Sequence, residues 1–286
     1  MAPKQAEPPR PIERVIRDVT ARGVRMRVLE AGSGPALLLV HGFMVSHREF
    51  EDVIDAFARR FHVIAPDLPG FGESEKPSPT RYPYGIEAFA ESMADLIAAF
   101  GVGRASVLGH SMGAGVALTL AAEHPELVTR LVVEDALCYP FPLSFKARLP
   151  LIPILGGVIF KQLYGRAMFR AYFRDDVFRP GAELPMARID QHYDFFNAPE
   201  SRESAYAILR AMMDTRPIVA RVTRITTPTL VVWGREDKLF PAASAQRLAR
   251  EIHGAKLEIM NAGHSPHEER PREFVSLVTQ FLEGMR

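Results

Sequence analysis

The chain has almost no cysteine. Cys138 stands alone among 286 residues, so no internal disulfide can form and nothing requires an oxidising compartment. No base lies near it in the sequence pattern, which makes it a small buried residue rather than a nucleophile. Charge of one sign is also lacking. The 35 basic and 34 acidic residues leave a net +1, so no strong field invites nucleic acid. Long apolar runs are missing too: a transmembrane helix needs ~20 such residues. Leu149 to Phe160 comes nearest, and Pro150, Pro153, Gly156 and Gly157 interrupt it. Met1 to Pro11 is polar and proline-rich; it predicts a disordered tail over 1–14, not a secretory leader. Internal repeats and clustered metal-ligand spacings are absent. These absences imply a soluble, cytoplasmic protein with no metal, no cofactor and no stable membrane insertion. Its 47% hydrophobic and 24% charged residues are those of an ordinary globular chain.

What is present is strand–helix alternation. Val15 to Thr20 and Val24 to Glu30 alternate around Arg22-Gly23 and read as an antiparallel hairpin. Ala36–Val40, Phe61–Ala65, Ala105–Leu108, Leu131–Val133, Pro228–Trp233 and Leu257–Met260 are short apolar runs, as expected of strands buried on both faces. Helical periods separate them at Glu49–Arg60, Ile86–Phe100, Gly113–Glu123, Ser244–Ile252 and Arg272–Met285. This order predicts an α/β fold with a mostly parallel sheet covered on both faces. From about Ala136 prolines and aromatics crowd in and the alternation stops until about Val222. The division is then a core of 15–136 and 223–286 with a helical insert, 137–222. The insert sits at the carboxyl ends of the strands, where such sheets bind ligands.

The centre of the pattern is Gly109-His110-Ser111-Met112-Gly113. A strand, Gly-x-Ser-x-Gly and a helix follow in the order of a nucleophile elbow, with the serine on a tight, strained turn. The free N–H groups and positive dipole end of the helix start, at Met112, suit a developing oxyanion.

A serine hydroxyl needs a base, and the base an orienting acid. In this kind of sheet the order is serine, acid, histidine. His264 follows the last strand on the small-residue loop Asn261-Ala262-Gly263 and is the favoured base. His267 is a near rival at the start of a helix; His253, His192 and His124 lie in less suitable places. Asp237 follows the penultimate strand and is the favoured acid, with Glu236 beside it solvated. Glu134 or Asp135, after the preceding strand, is the second site, and Asp135 the fallback.

Together with His41-Gly42-Phe43, the loop Asp67 to Ser74, and Trp233-Gly234-Arg235-Glu236-Asp237, these motifs resemble the α/β-hydrolase superfamily, in particular its capped serine hydrolases. The resemblance runs from Val15 to the end. It implies an eight-stranded sheet, a helical cap and a second oxyanion donor, the backbone N–H of Phe43 beside that of Met112. It also implies that His41 braces its loop and that Asp67 to Ser74 is structural. Dehalogenases and epoxide hydrolases of that superfamily carry aspartate where this chain has Ser111. Ring-cleavage carbon–carbon hydrolases use serine but a glycine-rich loop where Phe43-Met44-Val45 stands. The expected activity is hydrolysis of a small apolar carboxylic ester through an acyl-enzyme. Carbon–carbon hydrolysis, cofactor-free haloperoxidase chemistry and non-catalytic binding of a small molecule are the alternatives.

The insert is expected to set the substrate. Its aromatics pack its own core and partly line a pocket, for which His110, Phe141, Phe145 and Leu239 are candidates. Arg166, Arg170 and Arg174 share a helix face, as a solvated stripe before an anionic handle. Leu149 to Phe160 is a secondary candidate for touching lipid.

Overall fold

The computed structural model describes residues 12–141, 143 and 148–284. Phe145 and the tail before Ile12 lie outside them. The predicted hairpin is present as β1 (Arg14–Ala21) and β2 (Val24–Ala31), paired antiparallel. Gly23 supplies the left-handed turn residue at φ 70. The remaining strands are β3 (Ala36–Val40), β4 (His62–Pro66), β5 (Ala105–His110), β6 (Val128–Glu134), β7 (Thr229–Gly234) and β8 (Lys256–Met260). They form one eight-stranded sheet in the order β1-β2-β4-β3-β5-β6-β7-β8. β2 meets β4 antiparallel, and every pairing from β4 to β8 is parallel.

Burial on both faces explains the continuous apolar runs. Along β3, Leu37 and Leu39 point into one core layer while Leu38 and Val40 point into the other, the two-residue period of a strand. The first layer includes α1 (Glu51–Ala58) and the closing helix Pro271–Leu282; the second includes α2 (Ile86–Ala99), α3 (Met112–Glu123) and Ala242–Glu251. The predicted helix from Glu49 begins two residues later, because His47–Phe50 forms a 3₁₀ turn whose N-cap is the Ser46 hydroxyl.

Helices between β6 and β7 fill the place of the predicted insert: Arg166–Tyr172, Met186–Phe196, Pro199–Met212 and Arg216–Val222. They enclose a third apolar cluster of Phe160, Phe169, Phe173, Phe178 and Phe196 with Met44 and Val45 of the loop after β3. Two stretches widen to π-helical turns, Ile159–Leu163 and Phe173–Val177. No helix among the described residues is long and apolar enough to cross a membrane.

Candidate active site

Ser111 sits between β5 and α3 with φ 54 and ψ −116, a conformation that costs a non-glycine residue on the order of 1–3 kcal/mol. The elbow closes only because its flanks lack side chains. A Cβ on Gly113 would stand 2.1 Å from the Val40 carbonyl oxygen, and one on Gly109 2.3 Å from that of Gly113. Backbone bonds from Ser111 N–H to the Glu134 carbonyl (2.9 Å) and from Leu137 N–H to the Ser111 carbonyl (2.9 Å) clamp the turn against the end of β6.

The hydroxyl of Ser111 meets His264 Nε2 at 2.9 Å, and His264 Nδ1 meets Asp237 Oδ2 at 2.9 Å. With Nδ1 donating to the carboxylate, Nε2 is left to accept from the serine. Asp237 is fixed in turn. Its Oδ1 accepts the N–H groups of Leu239 (2.7 Å) and Phe240 (3.1 Å). Burial pushes the Asp237 carboxyl up, yet the charge and hydrogen bond of His264 outweigh it and hold it below the usual range. The His264 loop is anchored by its own N–H, which donates to the Val177 carbonyl at 2.7 Å.

Asp135, the fallback acid, lies behind Asp237. Asp135 Oδ1 accepts the Gly234 N–H at 2.9 Å, while Oδ2 has no protein donor. Burial, then the charge of Asp237, raise its carboxyl well above the ordinary value. Its side chain faces the Asp237 carboxylate.

The oxyanion side is equally close-packed. A Cβ on Gly42 would lie 3.3 Å from Ser111 Cβ, so the loop carrying Phe43 abuts Ser111. Among the described residues no hydrogen bond uses the Phe43 N–H, and Met112, first in α3, has no intrahelical acceptor for its own. His41 accepts the Leu68 N–H at Nε2 (2.9 Å) and donates to the Gly42 carbonyl from Nδ1 (2.7 Å), which ties this loop to the one after β4. There Asp67 takes bonds from His47 and from the Glu73 N–H; burial opposes its charge, but the His47 bond leads the effects that bring it to about 2.

Beside the triad lies a second set of buried acids and imidazoles. Glu49 accepts the Gly42 N–H at Oε1 (2.9 Å) and meets His110 Nδ1 at Oε2 (3.1 Å); His110 Nε2 donates to the His264 carbonyl (2.8 Å). His267 and Glu134, each weighed above as a triad member, pair with one another at 2.9 Å. Burial pushes the His110 imidazole down, but the Glu49 charge and bond carry it up to about 10; Glu49 itself falls to about 2 despite its burial. Ligand atoms of Glu49, His110 and His267 lie within 4.8 Å of one another. A metal ion there would have to break the Glu49–His110 hydrogen bond, and the ionised side chains already balance each other's charge.

A small, partly open pocket lies over Ser111. Its floor is Gly42, Glu49, His110, Ser265 and Glu268, and its roof is Tyr172, Phe173 and Val177 from the insert. Of the predicted pocket residues, His110 lines it, but both ring nitrogens are engaged. Phe141 and Leu239 do not line it. The Phe141 ring packs edge-on against Phe240, which packs against His264, and Leu239 packs between two apolar clusters. The arginine stripe is exposed and paired: Arg166 with Asp190 and Asp194, Arg170 with Asp190, Arg174 with Asp175. His124 pairs with Glu91 at the surface, and His192 is buried, with Ser46 as its nearest partner.

A family model described as alpha/beta hydrolase fold matches residues 35–271. An uncharacterized protein of Mycobacterium tuberculosis is 32% identical over 299 aligned residues, which cover 94% of this chain and 84% of that one. A 2-hydroxymuconate semialdehyde hydrolase of a Pseudomonas species is 29% identical, over 93% of each chain. Among solved structures, a serine hydrolase involved in carbazole degradation superposes with a TM-score of 0.80 at 26% identity, covering 95% of this chain and 99% of that one.

Proposed function

From the premise that the chain belongs to the α/β-hydrolase family, we propose that it is a serine hydrolase cleaving a carboxylic ester of a largely apolar acyl substrate. The observation that carries this reading is the unbroken line Asp237–His264–Ser111, with both contacts at 2.9 Å. His264 takes the proton of Ser111 as Oγ attacks the acyl carbon. The N–H groups of Phe43 and Met112 hold the oxyanion, each worth on the order of 100- to 1,000-fold in turnover. His264 then protonates the leaving alcohol. Water, deprotonated by the same imidazole, attacks the acyl-enzyme and releases the acid.

Carbon–carbon hydrolysis is the second reading, favoured by the relative named 2-hydroxymuconate semialdehyde hydrolase. The cavity lining supports the ester over it. Glu49 and Glu268 lie in the floor, and no lysine or arginine is among the described lining residues to meet an anionic substrate. Arg188, which pairs with the lining residue Glu268, is also held by Asp52.

The test is a panel of neutral p-nitrophenyl esters, half-esters bearing a free carboxylate, lactones and ring-cleavage diketones, with fluorophosphonate labelling of wild type and Ser111→Ala. Wild type turns over the neutral esters fastest and takes one label per chain; Ser111→Ala takes none. Preference for the diketones selects the second reading. Equal labelling of the variant overturns the nucleophile, and tight small-molecule binding without turnover overturns catalysis altogether.

A further inference from the structure

The proposed chemistry leaves one surface of the insert unused. Most large hydrophobic side chains that stay exposed among the described residues fall in one short stretch: Ile152, Ile154, Leu155, Val158, Leu163 and Met168. Local structure puts them there. The Leu155 N–H donates to the Pro153 carbonyl at 2.7 Å, and Ile154 takes φ 67 and ψ −56. That is a γ-turn of the rare, strained kind, built on a β-branched residue for which positive φ is an outlier. The next turn of helix lies flat on the chain before it, because Gly156 leaves no room: a Cβ there would be 2.0 Å from the Pro150 carbonyl oxygen. Phe160 turns inward and is buried, whereas Ile154 is 98% exposed and Leu163 64%. Ile154 and Val158, four residues apart, share the outer side. Strain and solvent-facing apolar surface meet at one point, and neither helps the chain fold.

Charge identifies the occupant. The 39 residues from Ala136 to Arg174 contain six lysines and arginines and no aspartate or glutamate, whereas the rest of the chain holds 29 basic and 34 acidic residues. Arg148 borders the turn and donates to the Leu143 carbonyl; Lys161 follows the turn, paired with Glu203. Apolar side chains edged by Arg148 and by Lys161, the latter paired with Glu203, match the headgroup–acyl boundary of a bilayer carrying anionic lipid. A second copy of the chain matches poorly, since a two-fold contact through this patch brings the same cations together. We propose that the turn from Ile152 to Leu163 docks on an anionic lipid surface.

The test measures binding of the full chain to vesicles by flotation, and so does not depend on whether the ester reading holds. Wild type floats with phosphatidylcholine–phosphatidylglycerol vesicles, less with phosphatidylcholine alone, and less again at high salt. Ile154→Asp with Val158→Asp lowers the bound fraction by about tenfold or more, while turnover of a water-soluble short ester stays at the wild-type value. Ile154→Trp serves as a second probe, because Trp233 is the only native tryptophan and is fully buried. Its emission shifts to the blue on adding anionic vesicles. Wild type that floats with neither vesicle, a double variant that floats as wild type does, or Ile154→Trp emission that anionic vesicles leave unmoved overturns the proposal. A wild-type dimer dispersed by the double variant also overturns it, in favour of a second copy.

Discussion

Two sets of carboxylate and imidazole lie side by side in this protein, and they differ in where the last nitrogen ends. The His110 ring is centred 5.1 Å from that of His264 and 4.9 Å from that of His267. In the first set, Asp237 orients His264 and the far nitrogen reaches a hydroxyl that borders an open cavity. In the second, Glu49 orients His110 and the far nitrogen is stopped by the carbonyl of His264 itself. The same parts give the line on which the proposed chemistry rests when the end is free, and a strut when it is closed. The strut has its own use. Through Glu49 it grips Gly42, and through His110 it grips His264, so one ion pair sets the spacing of the oxyanion loop, the elbow and the base.

Substitutions can break or sharpen that contrast. The largest effect is expected at the free end. Ser111→Ala should lower turnover by at least about 10,000-fold, measured as kcat on the best ester of the panel. Asp237→Asn should follow, since an asparagine favours the wrong imidazole tautomer; the expected fall in kcat is about 10,000-fold or somewhat less, with KM nearly unchanged.

Glu49→Gln attacks the strut, and its main expected reading is stability. Removing one member of a buried ion pair costs about 3–5 kcal/mol, a drop of several degrees in Tm. The effect should depend on pH. His110 is raised from 6.5 to about 10, so its contribution is complete below 6.5 and fades as pH climbs through 10. Glu49 is lowered from 4.5 to about 2, so its contribution is complete above 4.5 and fades as pH falls through 2. The gap in Tm between wild type and Glu49→Gln should therefore be widest from pH 4.5 to 6.5 and narrow on either side. A gap that does not change with pH would mean that the pair is not ionised.

The smallest expected effect is at Asp135, which has φ 43. Asparagine and glycine both tolerate that conformation, but only asparagine can donate to Asp237. Asp135→Asn should keep kcat within about threefold, and Asp135→Gly should lose about tenfold. Equal losses would show that no proton is shared between the two acids.

Much of this architecture was legible before any coordinates. Buried parallel strands are apolar throughout, and glycines at 109 and 113 mark a place where strand and helix nearly touch. The second set was not legible. Glu134 and His267 meet because β6 lies beside β5 and the His264 loop folds back over both; nothing in their own neighbourhoods signals a partner 133 residues away. Glu49 looks like the polar start of an amphipathic helix, and only burial reveals its role. Phe141, one of the insert's aromatics, and Leu239 were expected at the pocket. Phe141 packs on Phe240, which itself packs on the His264 ring, and Leu239 packs between two apolar clusters.

The 2.7 Å bond from the backbone of His264 to the carbonyl of Val177 makes the roof a partner in holding the base. Gly263 presses on the same strip of the insert, with no room for a Cβ beside Val177 and Arg179. Specificity in such a scaffold is therefore not a module to be exchanged at will. A roof grafted from a relative, however well it suits a new substrate, has to present an acceptor at the same height, or the imidazole loses its perch and the transplanted pocket opens onto an idle serine.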